Sequence, residues 1–356
     1  LPRPPRLARY LAAAYAFLIV YASLHPFMGW RDTGVPLIEF LFAPWPRYYT
    51  AFDLVVNVLA YVPLGFALIP ALRDPLGGAI AALLALIAAA CLSFGMELLQ
   101  NFLPSRVPSN LDLACNSLGA ALGSILGLRW GDTLRDGGTL HNLREELIVG
   151  GRHADTGLVV LGIWLLGQLN PEAMLFGYGD LRTLFNFPAP LPYTREGIQF
   201  VELCVTAANV LAVGLMGWRV LRNPSPSLLA LVFVLALLTR ALAAGVLIGP
   251  EQYLQWVTAG NVAGLAMGGV LLFVGLVSPA PVQHTSAALA LFIATALVNL
   301  APENPYLSDT LQAVNAGHFL TFNGLTRLAS SLWPFIAIGY LMAAGPPRKR
   351  RRRGAD

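Results

Sequence analysis

From Pro75 to Met96 the chain carries no charged side chain. About 20 apolar residues are enough to cross the hydrocarbon core of a bilayer as a helix. A helix that is apolar on every side belongs either in a large protein core or in a membrane, and composition decides between the two. The 356 residues are 56% hydrophobic and only 12% charged, with a mean hydropathy of +0.63, against about 25% charged residues in soluble proteins. The chain is therefore read as a polytopic membrane protein. With no water to satisfy an open sheet edge, its spanning segments close their own hydrogen bonds as helices, and the expected fold class is an all-α transmembrane bundle.

Ten spans are expected, at about 10–29, 52–72, 77–101, 111–128, 156–176, 199–220, 228–248, 255–277, 286–301 and 330–345, the fourth and ninth being the shortest. The arginines give them a direction. Arg3, Arg6, Arg9, Arg73, Arg129, Arg135, Arg144, Arg152, Arg219, Arg222 and the basic run Arg348–Arg353 fall on one side of this arrangement; Arg31, Arg47, Arg106, Arg182, Arg195 and Arg327 fall on the other. The excess of positive charge belongs in the cytoplasm, which places both termini inside. The net charge of +4 resides largely in the basic tail. That tail reads as an anchor on an anionic leaflet rather than as a nucleic-acid surface. Cys91, Cys115 and Cys204 all lie in expected spans, so no disulfide is expected.

A tandem repeat is also visible. The stretch Asn57–Gly65 parallels Asn209–Gly217, and Asn116–Gly123 parallels Asn261–Gly268. Leu24, His25 and Pro26 are echoed by Leu169, Asn170 and Pro171. Units of four spans face the same way, as a parallel repeat requires. The expected organisation is two tandem four-helix units plus a helix pair: 1–130 as the unit carrying the polar site, 131–155 as a cytoplasmic interfacial connector, 156–278 as a degenerate second unit, 279–345 as the added pair and 346–356 as the tail.

The first unit concentrates its polar residues at one end. Asp53 and Asn57 lie four apart and share a helix face. Glu97 and Gln100 are three apart on the next span, and Asp112 and Asn116 four apart on the one after. Arg106 sits in the short turn between the last two. Ionisable groups inside a helical bundle are costly and point to function. In this reading Glu97, Asp112 and Asp53 are the candidate catalytic residues, with Glu97 as general acid or base. Arg106, Asn57, Gln100 and Asn116 are the candidate substrate-binding residues, arginine suiting phosphate or carboxylate. Gly119, Gly123 and Gly127 form a small-residue face that lets a neighbouring helix approach closely. No metal site is assigned, although an oxygen-rich set of this kind suits Mg²⁺ or Ca²⁺, and no cofactor is identified.

Asp53, Asn57, Pro63 to Gly65, Glu97, Gln100, Arg106, Asp112, Asn116, Gly119 and Gly123, at these spacings, resemble the VanZ-like family over about residues 10–130. That family is named for a membrane protein associated with resistance to the glycopeptide teicoplanin. The resemblance implies a bacterial membrane protein connected with the cell envelope; it implies no reaction. The typical member is a single unit of four or five spans, so the second copy and the extra helices depart from the pattern.

Other polar residues have narrower readings. His25 lies near the proposed site and reads as structural. Arg240 lies within a span and is expected to pair with Glu202 or Glu251. His318, Asn323 and Arg327 read as loop residues. No zinc spacing, phosphate-binding loop, nucleophile elbow or dinucleotide fingerprint is present. Three readings follow: an outward-facing enzyme acting on an envelope lipid or lipid-linked glycan; a binder or transporter of such a lipid or of a glycopeptide; and an assembly partner whose polar residues fix packing. Membrane lipids are the expected partners in all three. Transport requires a polar path across the bilayer, whereas the charges cluster at one end.

Overall fold

The computed structural model describes residues 6–24, 27, 29–46, 49, 51–104, 106–134, 138–185, 187–249, 251–302 and 320–345. Every regular element among them is a helix, apart from an isolated bridge between Ile148 and Leu221. Among the described residues, eight helices are long and apolar enough to cross a membrane. They bury only part of their surface and expose Leu83, Ile87, Phe273, Phe292 and Met342 among many large apolar side chains. Such a surface is unstable in water but is solvated by lipid. The protein is a polytopic helical membrane bundle.

The chain folds as two compact units, Leu1–Glu146 and Leu147–Asp356. The division falls inside the expected connector. His25, His318 and the basic tail lie outside the described residues, as does the side chain of Asn323.

The first unit contains α1 (Arg6–Leu24), the short α2 (Glu39–Phe42), α3 (Ala51–Leu76), α4 (Gly78–Gln100), α5 (Asn110–Trp130) and most of α6 (Thr139–Leu147). Asp74 leaves the helical region of α3 (φ −100°, ψ 121°), because the ring of Pro75 disfavours helix at the preceding residue. Helices α3 and α5 pack backbone to backbone. A Cβ added to Gly119 would stand 2.1 Å from the carbonyl oxygen of Val58, one added to Gly123 2.1 Å from that of Val62, and one added to Gly65 2.2 Å from that of Ala120. Only glycine permits that approach. Tyr61, Leu64, Ala89 and Ala120 fill the core between α3, α4 and α5, with Ile19 of α1 closing it.

The second unit contains α7 (Arg152–Gly167), α8 (Leu181–Leu184), α9 (Arg195–Val220), α10 (Pro226–Leu247), α11 (Ala259–Val277), α12 (Ala280–Leu300) and α13 (Leu320–Ala344). Two expected spans change. The span at 156–176 ends as a helix at Gly167, and a buried irregular segment follows, holding Gln168, Asn170, Leu175, Phe176 and Tyr178. Pro171 cannot donate to a continuing helix and biases Asn170 away from it. The expected short span 286–301 is instead the 21-residue α12, because Pro281 sits in its first turn, where proline is tolerated. Trp164, Phe176 and Phe233 stack at 5.1–5.8 Å between ring centres. Helices α12 and α13 share this core through Leu291, Trp333 and Leu341. The last two helices are thus part of the second unit's interior.

The pair α9 and α11 repeats the contacts of α3 and α5 in one register. Gly264 faces the carbonyl of Leu203 as Gly119 faces that of Val58, and Gly268 faces Ala207 as Gly123 faces Val62. Each residue lies 145 positions after its counterpart (Gly119 to Gly264, Val58 to Leu203). In this register Asn57 corresponds to Glu202. The sequence match of Asn57 with Asn209 is displaced by two helical turns, and Asn209 donates to the carbonyl of Val205 in its own helix.

Candidate functional site

The site is organised by the turn between α4 and α5. Ser109 is extended (φ −138°, ψ 127°) and its hydroxyl caps α5 by accepting from the Asp112 N–H at 3.3 Å. The same extended residue points its own N–H outward from the helix start, where it donates to Glu97 Oε2 at 2.8 Å. One serine therefore ties the last turn of α4 to the first turn of α5. Glu97 is only 3% exposed, and its carboxylate is attracted by Arg106 and repelled by Asp112. Burial pushes the Arg106 guanidinium down from its usual range, while the Glu97 carboxylate pulls it back up.

The amides stand around these charges with different tasks. Asn57 Nδ2 donates to Asp112 Oδ1 at 2.9 Å, joining α3 to α5. Asn116 Nδ2 donates to Ser93 Oγ at 2.9 Å, joining α5 to α4 one turn deeper; its Oδ1 is buried with no hydrogen-bond donor among the described residues. Gln100 Nε2 turns the other way and donates to the Ser23 carbonyl of α1 at 3.1 Å. Asp53 is half-buried in the first turn of α3, on the face that carries Asn57. Thus Glu97, Arg106, Asp112 and Asn57 come together, Asn116 lies beneath them, and Gln100 braces the bundle to one side.

An extended strap preceding α3 covers the turn. Arg31 N–H donates to the Phe102 carbonyl at 2.9 Å, Thr33 Oγ1 to the Asn101 carbonyl at 3.1 Å, and Asn101 Nδ2 to the Val35 carbonyl at 3.2 Å. Asn110 Nδ2 reaches the Ala43 carbonyl at 2.7 Å. Sequence reasoning missed Ser93, Asn101 and Ser109. A signal for Ser109 was present: serine three residues before Asp112, at the start of an apolar run, is the pattern of a capped helix start. Among the described residues no three Asp, Glu, His or Cys side chains gather closely enough to hold a metal ion.

Residues 8–131 match the VanZ/LLP1 family model. The first unit is VanZ-like. The match ends where α5 ends, so it takes in Asp53, Asn57, Glu97, Gln100, Arg106, Asp112 and Asn116 and stops short of the second unit. No curated protein and no solved structure matches the chain.

The second unit treats its buried charge differently. Arg240 is 5% exposed. It does not form the expected ion pair with Glu202 or Glu251: its guanidinium donates to the carbonyls of Asn170, Pro171 (3.2 Å) and Ala173. Those carbonyls belong to the irregular segment after α7, which has no helical donors of its own. Glu202 Oε2 instead accepts from Thr258 Oγ1 at 2.6 Å.

Proposed function

We propose that the VanZ-like unit binds the polar head of an envelope lipid or lipid-linked glycan at the outer leaflet, with Glu97, Arg106 and Asp112 as the recognition set. The observation that carries this reading is a carboxylate 3% exposed inside a span. Burying a carboxylate costs several kcal/mol, and packing alone does not require it. One turn deeper, Asn116 and Ser93 join the same two helices with neutral groups. A ligand carrying a phosphate or carboxylate and hydroxyl groups would use Arg106 for its anion and the two acids for its hydroxyls. Asn57, Asn116 and Gln100 then position the helices rather than touch the ligand, and Asp53 supports Asn57. If the bound head is also transformed, Glu97 is the general acid or base, and the tie to Ser109 fixes its orientation. The envelope setting and a connection with glycopeptide resistance come from the family resemblance and form part of the proposal.

The test is retention of lipid by the full chain in nanodiscs made from a bacterial envelope-lipid extract. Lipids that stay with the protein are identified by mass spectrometry for wild type, Glu97→Gln, Asp112→Asn and Arg106→Gln. The proposal expects one class of amphiphile to be enriched by wild type and lost in all three variants, with helix content unchanged. Asn116→Ala should lower stability and still enrich that class per folded molecule. Equal retention by all four proteins would leave the polar cluster as a packing device.

We propose in addition that the second unit is a diverged repeat of the first. The uniform spacing of 145 residues across two glycine-faced helix pairs supports it, together with Asn116 and Asn261 occupying the same place in that register.

A further inference from the structure

We infer that the second unit carries a ligand site of its own, a cavity walled by Glu202 and Trp256 on one side and Arg182 and Arg327 on the other, that takes a zwitterionic headgroup of the phosphoethanolamine type. This stands apart from the first-unit reading and uses none of its residues.

The cavity has a volume of about 330 Å³, at the lower end of the ~300–1,000 Å³ of small-molecule sites and suited to a headgroup. One wall is the α9–α11 face. Glu202 lines it, held by the Thr258 hydroxyl. Gly260 lies against that carboxylate, since a Cβ there would stand 2.7 Å from Glu202 Oε2. The opposite wall is the segment 179–182, fastened to α12 and α13. Asn299 Oδ1 accepts from the N–H groups of Leu181 and Arg182, and Gly179 N–H donates to the Ser330 carbonyl. This wall supplies Arg182, Arg327 and Asp180, and Glu172 and the carbonyl-bound Arg240 complete the charged lining. Acids and arginines therefore line the cavity in equal number, so both signs of charge are on offer. A headgroup with an ammonium at one end and a phosphate at the other matches both. An anion or a neutral sugar matches only one sign or neither.

A second observation points to a ligand independently of charge. Trp256 lines the cavity, and its indole N–H is buried with no acceptor among the described residues. A buried donor without a partner is destabilising, and a phosphate or glycerol oxygen in the cavity would satisfy it. Tyr253, Leu254 and Val257, which flank Trp256 in the chain, are 51%, 54% and 47% exposed. They offer apolar surface beside the cavity wall for acyl chains.

The experiment titrates the full chain in detergent with short-chain phosphatidylethanolamine, phosphatidylglycerol, a neutral glycosyl diacylglycerol and water-soluble phosphoethanolamine. Glu202→Gln keeps the hydrogen bond to Thr258 and removes the charge; Trp256→Phe removes the unpartnered N–H together with part of the ring and keeps an aromatic wall. The inference expects saturable binding that prefers phosphatidylethanolamine, weakened about tenfold or more by each variant and unchanged in Gly95→Ala, where an added Cβ meets nothing within 4 Å. Phosphoethanolamine binding as tightly as the lipid would make the ligand a solute; weaker binding would keep it a lipid, and either agrees with recognition of the headgroup. Equal binding of the anionic or neutral lipid overturns the inference, and so does wild-type affinity in both second-unit variants. Loss of binding in Glu97→Gln alone would assign the ligand to the first unit and sink the second site while leaving the first standing.

Discussion

Arg240 and Glu97 are both ionisable groups buried within spans, and their surroundings differ in kind. Arg240 is saturated by main-chain carbonyls of a buried irregular segment, so it is a structural donor that makes non-helical backbone tolerable at depth. Replacing it with methionine keeps the volume and strands those carbonyls. The expected cost is about 3 kcal/mol or more, read as a lower melting temperature of the full chain. Lysine should rescue little, because an ammonium lacks the planar fork that spans several acceptors. A wild-type melting temperature for Arg240→Met would refute that role. Tyr178, in the same segment, donates to the Trp164 carbonyl at 3.1 Å. Tyr178→Phe removes that bond and should cost about 1 kcal/mol, read as a lower melting temperature; an unchanged melting temperature would show that the bond contributes nothing.

At the scale of elements, the glycine face of α5 decides whether the site exists. A Cβ at Gly123 would sit 2.1 Å from the Val62 carbonyl oxygen, far inside any tolerable contact, so Gly123→Val must drive α3 and α5 apart. That movement breaks the Asn57–Asp112 bond as well. The variant should be unfolded or unable to retain ligand, as judged by expression and size-exclusion behaviour. Gly95 on α4 is the control: nothing lies within 4 Å of a Cβ there. Gly95→Ala should be neutral, or stabilising by up to about 1 kcal/mol through helix propensity. A tolerated Gly123→Val would show that the two helices do not pack as described.

The same elements mark how far the sequence could be read. Apolar runs without charges reveal helices because the bilayer leaves one backbone solution, and pairs three or four residues apart reveal faces because the helix period is fixed. Glu97, Arg106, Asp112 and Asn57 were legible for that reason. Gln100 was misplaced, since its spacing from Glu97 fits a common face while its long side chain reaches α1. The partners Ser93 and Ser109 were passed over because serine in an alanine- and leucine-rich helix is unremarkable as a letter; its role depends on what stands across the gap. The match of Asn57 with Asn209 lies two turns away from the register of the glycine-to-carbonyl contacts, whereas the match of Asn116 with Asn261 falls in it. Asparagine, valine, leucine and alanine match easily in such sequences, while the spaced glycines Gly119 and Gly123 carry the signal of close helix approach. The end of α7 at Gly167 was signalled by Asn170 and Pro171, but the apolar run on either side of them reads as one span.

For the whole molecule, the arrangement of arginines predicts an orientation with the α4–α5 turn outside. Val107 is 84% exposed in that turn. A cysteine there should react with a membrane-impermeant thiol reagent applied to intact cells or spheroplasts, and labelling only after lysis would reverse the topology. The account of function rests on the polar end of the VanZ-like unit being a headgroup site and not a closed salt cluster. The most direct measurement is a high-resolution map of the full chain purified with its native lipids. The account expects density for one amphiphile whose polar end lies between Glu97, Arg106 and Asp112. Lipid confined to the apolar outer faces, with those three side chains closed on one another, would contradict it.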